Sequence, residues 1–389
     1  MLAIINAELV MRDHLIPNAV LLSENGVITG FGEMGKTAIP EGCAVVDAGG
    51  AYLGPGLIDI HTHSGGGVSF EEDPFRAAQA HLAHGVTTVL AALYFGSTRQ
   101  ELLRSIARIG AAIGAPGAEN LAGFYMEAPY MNPQYGSSRA NCPWAGPVCR
   151  EDYLPLLEAA GTDVRVWVVA PEREGIPGFM LDAKTINPDV RFAVGHSEAT
   201  PQQIEALMPY GLCIGTHHTN ATGTIVKYPE CRGVCVDEAV SYQREIYAEL
   251  ICDSRGIHVD PYMLRLIRRI KGDDRIILIS DQVAAAGTNP PGFEDVTDVN
   301  VGLIPAEDGS GMVIDINGSR LTSDAACRNM MRHTGASIVD VFQYASYNPS
   351  RALGLTDRGE IAVGKRADLI LTDGKMNVQA VFIGGREIR

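Results

Sequence analysis

Six side chains able to hold a cation or move a proton recur along this chain: His61, His63, Glu127, His196, His217 and Asp281. His61 and His63 follow the apolar run Leu57–Ile60, one residue apart. In an extended strand, residues i and i+2 project to the same face, so both imidazoles point together. Gly65-Gly66-Gly67 comes next, and glycines there let the backbone turn or approach a ligand closely. Two imidazoles on one face at a strand's end suit a divalent metal ion. Taken alone, the pair fits a hydrogen-bonded or surface role at least as well. The recurrence of the same pattern downstream decides between the two readings.

The elements that must position these residues are legible as a repeat. Eight apolar segments of strand length run over 53–61, 85–93, 121–127, 164–170, 190–196, 212–217, 246–252 and 275–281. Segments of helical character lie between them, among them 75–84, 99–112, 151–160, 201–208 and 261–270. Regular βα alternation predicts a parallel sheet, and eight units predict a closed (β/α)8 barrel, the TIM-barrel form of the α/β class. His61 and His63 end the first predicted strand and Glu127 the third. His196 ends the fifth, His217 the sixth and Asp281 the eighth. All six therefore gather at the carboxyl ends of the strands, the face on which barrel active sites are built.

Residues 1–52 read differently, as short strands with polar turns such as Glu24-Asn25-Gly26. After the eighth segment come a turn-rich loop over 286–295, a β-like stretch over 302–321 and helical residues over 323–353. The chain closes on Ala367–Thr372 and Val378–Ile383 with no helix between them. Both termini are thus expected to build one small β-sandwich domain, residues 1–52 plus 355–389, beside a barrel over 53–354.

Composition bounds the partners. The 389 residues include 46% hydrophobic and 20% charged side chains, ordinary for a globular enzyme. A net charge of -15 argues against nucleic acid, whose phosphates need clustered Lys and Arg. No run of about 18 uncharged apolar residues suggests a membrane span. Met1–Val10 lacks a basic start, a long apolar core and a small-residue cleavage site. The eight cysteines are scattered, and Cys231 and Cys235 have no second pair to complete a zinc knuckle. A cytoplasmic protein with reduced thiols is the expectation.

At the level of wording, the chain resembles the amidohydrolase superfamily and, within it, the N-acetylglucosamine-6-phosphate deacetylases. The matching stretches are Pro55–His63, Met126-Glu127-Ala128-Pro129, Gly195–Thr200, Thr216–Ala221, Gly256–Asp260, Ser280-Asp281 and the closing Gly364–Leu369. The resemblance implies a metal-dependent hydrolase of an N-acetylated amino sugar. It assigns Glu127, His196 and His217 to one divalent ion and lets His61 and His63 hold a second, with Glu127 bridging. The ion it implies is zinc first, with iron or manganese as alternatives. Asp281 becomes the general base, taking a proton from the attacking water and passing it to the departing amine. His258 would contact the sugar, Asn220 and Ala221 would lie near its phosphate, and Arg232 would reach the phosphate from a neighbouring subunit of a homodimer or higher oligomer. No lysine occurs in 164–171, which excludes the carboxylated-lysine bridge of the dihydroorotase-like branch. His218 should point away from the site, and His14, His81, His84 and His333 read as structural or surface residues.

The resemblance fails at the substrate grip. The family carries a histidine about a dozen residues after the strand-three Glu, whereas this chain reads Gln134-Tyr135-Gly136-Ser137-Ser138-Arg139. The insert 141–144 and the segment 227–235 also depart. Retained metal ligands with an altered grip keep a different N-acyl or cyclic amide substrate open. A catalytically silent scaffold is disfavoured by the complete ligand set.

Overall fold

The structure is a computed structural model that describes residues 1–136, 142–223, 226–284, 289–306 and 310–388. Eight strands form one sheet in the order expected of the repeat: Leu57–Thr62, Val86–Tyr94, Leu121–Glu127, Val164–Val169, Arg191–Val194, Leu212–Gly215, Tyr247–Ile251 and Ile276–Ile279. Every neighbouring pair along it is parallel. The strands are apolar on both faces because helices cover the outside and packed side chains fill the inside. Val89, Phe124, Trp167, Val194 and Ile277 are among the residues buried in that shared core.

The last strand meets the first at their carboxyl ends. The Asp281 N–H donates to the His61 carbonyl at 2.9 Å, and the His63 N–H donates to the Gln282 carbonyl at 2.9 Å. Below them, Asp59 accepts the N–H groups of His61 and Ser280 at 3.3 and 3.4 Å. The seam of the barrel therefore runs through the same residues singled out for chemistry.

Both termini build a second eight-stranded sheet, led by Leu2–Val10, Leu15–Glu24 and Val27–Glu33 and completed by Leu369–Thr372, Val378–Ile383 and Arg386–Glu387. Alternate residues face separate apolar clusters, Ile4 and Leu21 on one side, Ala3, Val20 and Leu22 on the other. One boundary differs from the sequence reading. Residues 53–55, expected as the start of the first barrel strand, belong instead to a separate strand, Tyr52–Pro55, that pairs with Leu2–Val10 and Leu369–Thr372. Gly56 ends that pairing, and a Cβ there would lie 2.0 Å from Thr87 Oγ1, so the chain crosses tightly before the barrel strand begins.

The β-like stretch is a two-stranded ribbon, Val299–Pro305 with Met312–Ser319, at the rim of the barrel. The helical stretch after it breaks once at Gly335 (φ 73°) and restarts at Ile338 with Ser337 as its cap. Part of the turn-rich loop (285–288) lies outside the described residues. Among the described residues no helix is long and apolar enough to cross a membrane.

Candidate active site

Glu127 is the last residue of the third barrel strand and is buried. Its Oε1 lies 2.6 Å from His196 Nε2 and 3.1 Å from His217 Nε2. Those two nitrogens are themselves 3.0 Å apart. The other carboxyl oxygen, Oε2, lies 3.2 Å from His63 Nε2. His61 Nε2 sits 3.9 Å from Oε1 and 3.8 Å from Asp281 Oδ1, buried and without a hydrogen-bond partner. Asp281 Oδ1 is 3.4 Å from His63 Nε2. Two groups able to hold a metal ion thus share one carboxyl: His61, His63 and Glu127, and Glu127, His196 and His217.

The local backbone explains how strand ends deliver these side chains. His196, His217 and Asp281 adopt φ of 45°, 27° and 47°, the left-handed region that L residues with a β-carbon avoid. Each lies two residues beyond the end of its strand, where the chain steps off the sheet. Such strained positions cost about 1–3 kcal/mol each and collect at functional sites. His196 is further fixed by the ring of Phe95, edge-on with centroids 5.0 Å apart. Its Nδ1 is 3.3 Å from the Tyr135 carbonyl. Gly136 makes that approach feasible, since a Cβ there would stand 2.8 Å from His196 Nδ1.

The donor set fits a divalent cation. Imidazole nitrogens and one shared carboxyl converging at these spacings form the N/O ligand set that such ions take. The orphaned His61 Nε2 is a lone pair, or an N–H, with nothing else to meet. Protons supply the positive charge when no ion does. Burial works against charge on His63, yet hydrogen bonds to Asp281 and Glu127 push its pKa up to about 10. Burial likewise opposes charge on His217, and Glu127 raises it to about 9. Against the penalty of burial, the neighbouring histidines hold Glu127 well below the usual carboxylate range. Asp281 is lowered in the same way, by the hydrogen bond from His63 and by the charge of His61.

These groups line a cleft of about 420 Å³ at the barrel mouth, together with Asn220, Ala221 and His258. His258 is anchored through its backbone N–H and Nδ1 on Asp253 Oδ2 at 2.8 and 3.2 Å. Its Nε2 is buried without a partner. Arg232 stands apart: it is on an exposed hairpin, paired with Glu238, and does not line the cleft of its own chain. His218 turns away, with its Nε2 3.2 Å from Ser241 Oγ. His81, His84 and His333 bond to Ser64, Asp324 and Asp253 outside the cleft. In the grip segment, Tyr135 donates to Glu198 at 2.9 Å; residues 137–139 and 141 lie outside the described residues.

Several partners of the site escape the sequence reading. Glu249 is fully buried in the seventh strand, and its Oε2 lies 3.2 Å from His61 Nδ1. Tyr125 stacks on His61 with ring centroids 4.1 Å apart. Asp253 anchors His258. A Glu inside the apolar strand stretch 246–252 is the one signal that marks Glu249 in advance, because a lone buried carboxyl needs a partner.

Paired imidazoles and carboxyls at the carboxyl end of a (β/α)8 barrel define the class of metal-dependent hydrolases. The chain belongs to the amidohydrolase family, whose sequence profile matches residues 181–388. It is 32% identical over 362 residues to an N-acetylgalactosamine-6-phosphate deacetylase of Escherichia coli O157:H7, covering 88% of this chain and 89% of that protein. It is 27% identical to the N-acetylglucosamine-6-phosphate deacetylase of Bos taurus, covering 87% and 84%. Among solved structures, an N-acetyl-D-glucosamine-6-phosphate deacetylase mutant of Mycobacterium smegmatis, in complex with N-acetyl-D-glucosamine-6-phosphate, superposes with a TM-score of 0.80. Identity there is 26%, over 99% of this chain and 98% of that one. The Thermotoga maritima N-acetylglucosamine-6-phosphate deacetylase gives 0.80 at 25% identity, covering 100% and 99%.

The raised histidine values set a pH dependence. A group whose folded pKa exceeds its unfolded value stabilises the fold below the unfolded pKa, about 6.5 for His, and loses that contribution as pH rises through the folded value. For His217 and His63 the loss runs up to about 9 and about 10. Urea unfolding of chelator-stripped protein is therefore expected to show a midpoint that falls from neutral pH upward, with metal-loaded protein falling less. Parallel pH profiles for the two forms would contradict this account of the site.

Proposed function

We propose that the protein removes the acetyl group from an N-acetylated amino-sugar phosphate, using divalent ions held by Glu127, His196 and His217 and by His61, His63 and Glu127. The observation that carries this reading is the single buried carboxyl of Glu127 with four imidazole nitrogens about it. The relatives named above support the substrate class. Zinc is the ion we assign, because tetrahedral-type sites of His and carboxylate suit it.

A divalent cation in this set supplies Lewis acidity, acidifying water and polarising the carbonyl oxygen of an amide. The remaining work falls to the chain. Asp281 faces the cleft as an ionised carboxylate, lowered by its histidine neighbours against the penalty of burial. It is fixed by its own backbone, whose N–H donates to the His61 carbonyl at 2.9 Å and whose carbonyl accepts from Ser319 at 2.7 Å. We assign it the proton transfer: it accepts a proton as water oxygen bonds to the amide carbon, and returns it to nitrogen as the C–N bond breaks. His258, held by Asp253 at the cleft with its buried Nε2 unpartnered, is our candidate for a sugar hydroxyl. Asn220 and Ala221 are candidates for the far end of the substrate.

One observation favours a second reading of the substrate. Among the described residues lining the cleft there is no Lys or Arg, and the family histidine of the grip is absent. An N-acyl substrate without phosphate fits such a lining. A phosphate would instead be met by Arg232 of a second copy, and the ribbon supports such pairing. Leu303, Ile304, Met312, Val313, Ile314 and Ile316 are each between 40% and 58% exposed there, and a patch of this kind marks an association surface. We therefore propose a homodimer, and the free thiols support a cytoplasmic setting.

Zinc-loaded protein is expected to release acetate from N-acetylglucosamine-6-phosphate or N-acetylgalactosamine-6-phosphate, and more slowly from the unphosphorylated sugars. Turnover of other N-acyl or cyclic amides with none of the sugars would overturn the substrate assignment. Asp281→Asn should keep its metal content and lose about 10²–10⁴-fold in kcat; near-normal turnover would remove the proton-transfer role. Light scattering should give twice the chain mass, and a single-chain mass at assay concentration would exclude the dimer.

A further inference from the structure

Glu249 is fully buried, does not line the cleft, and touches two of the residues proposed as ligands with one oxygen. Its Oε2 is 3.2 Å from His61 Nδ1 and accepts the backbone N–H of His217 at 3.2 Å. The same oxygen accepts the Tyr125 hydroxyl at 3.1 Å, and that hydroxyl is 2.8 Å from Thr216 Oγ1. Glu249 and His61 are fully buried, as is Tyr125. Four barrel strands, the first, third, sixth and seventh, are tied together at this one atom.

The arrangement has a chemical consequence for His61. A ring nitrogen that ligates a cation must present its lone pair, so the other nitrogen has to carry the proton. An acceptor at Nδ1 places the proton there and leaves Nε2 open towards Glu127 and Asp281. Tyr125, stacked on the ring 4.1 Å away, prevents it from rotating out of that plane. The buried Nε2 without a hydrogen-bond partner is what this arrangement leaves. His196 and His217 are oriented by other means: His196 Nδ1 faces the Tyr135 carbonyl, and His217 Nδ1 has no partner.

We propose that Glu249 is a positioning residue for the cation at His61 and His63, fixing the tautomer and orientation of His61 so that the second ion binds. The proposal rests on the two-ion reading given above. Outer partners of ligating histidines are worth about 10–100-fold in metal affinity. Because Glu249 contacts His217 only through the backbone, the cation at Glu127, His196 and His217 should be far less affected.

The test is a zinc titration of apo protein against a competing chelator, read as two dissociation constants. His61→Ala, which deletes the ligand, marks which constant belongs to the second site by abolishing it. Glu249→Gln is expected to weaken that constant about 10–100-fold and to leave the other within a few-fold, with the unfolding midpoint of the apo protein measured alongside to show that the variant is folded. Glu249→Asp, which withdraws the carboxyl by one methylene while keeping its charge, should act in the same direction and serves if the amide variant does not fold. Both constants unchanged in a folded Glu249 variant would overturn the positioning role. A single constant in the parent protein would overturn the two-ion reading, and this proposal with it.

Discussion

One buried carboxyl, Glu127, organises this molecule. A charged group taken out of water is costly unless partners meet it, and four imidazoles on three other strands do so here. Each of those strands must end at the same height for the contact to form. The closed barrel is the architecture that brings the ends of distant strands to one rim, whatever their separation in sequence. The positive charge that balances Glu127 comes from protons or from metal ions, and the lowered carboxyls and raised histidines describe the same demand from either side.

Closure of the barrel and construction of the site are one event. The backbone of His61 receives the Asp281 N–H, and that of His63 donates to Gln282, so the seam between first and last strands is stitched by the same residues that line the cleft. Asp59 repeats the stitch one layer down and also accepts the Ser323 hydroxyl at 3.0 Å, tying in the helix after the ribbon. Glu249, in the seventh strand, joins the first, third and sixth strands through one oxygen. Polar groups in the barrel interior thus pair across strands in place of apolar packing, which suits a surface that must hold its geometry to fractions of an ångström.

Much of this was legible in the sequence because barrel strands are short, apolar and regularly spaced. All eight appear where the apolar segments fall, and the His, Glu and Asp residues singled out for chemistry stand at or just beyond their ends. What escaped reading has physical causes. Tyr52–Pro55 is as apolar as a barrel strand, and only its partners, the strands at either end of the chain, reveal that it belongs elsewhere. Tyr125 looks like core until its hydroxyl is seen on Glu249. Asp253 follows the seventh strand as an ordinary loop acid, and its bond to His258 is a matter of tertiary geometry. Arg232 is singled out only through the resemblance: its exposed side chain pairs with Glu238 on a hairpin outside the cleft of its own chain.

The left-handed backbone at His196, His217 and Asp281 sets the fold's interest against the enzyme's. Glycine or asparagine would sit at these positions with less strain, so the substitutions that relieve the chain are the ones that would remove the side chains proposed for the chemistry. Selection for heat tolerance alone would drift towards them and yield a sturdier barrel stripped of those side chains. Engineering that raises stability while keeping the chemistry has to look elsewhere, in the terminal sheet or on the outer helices, and leave these three turns under tension.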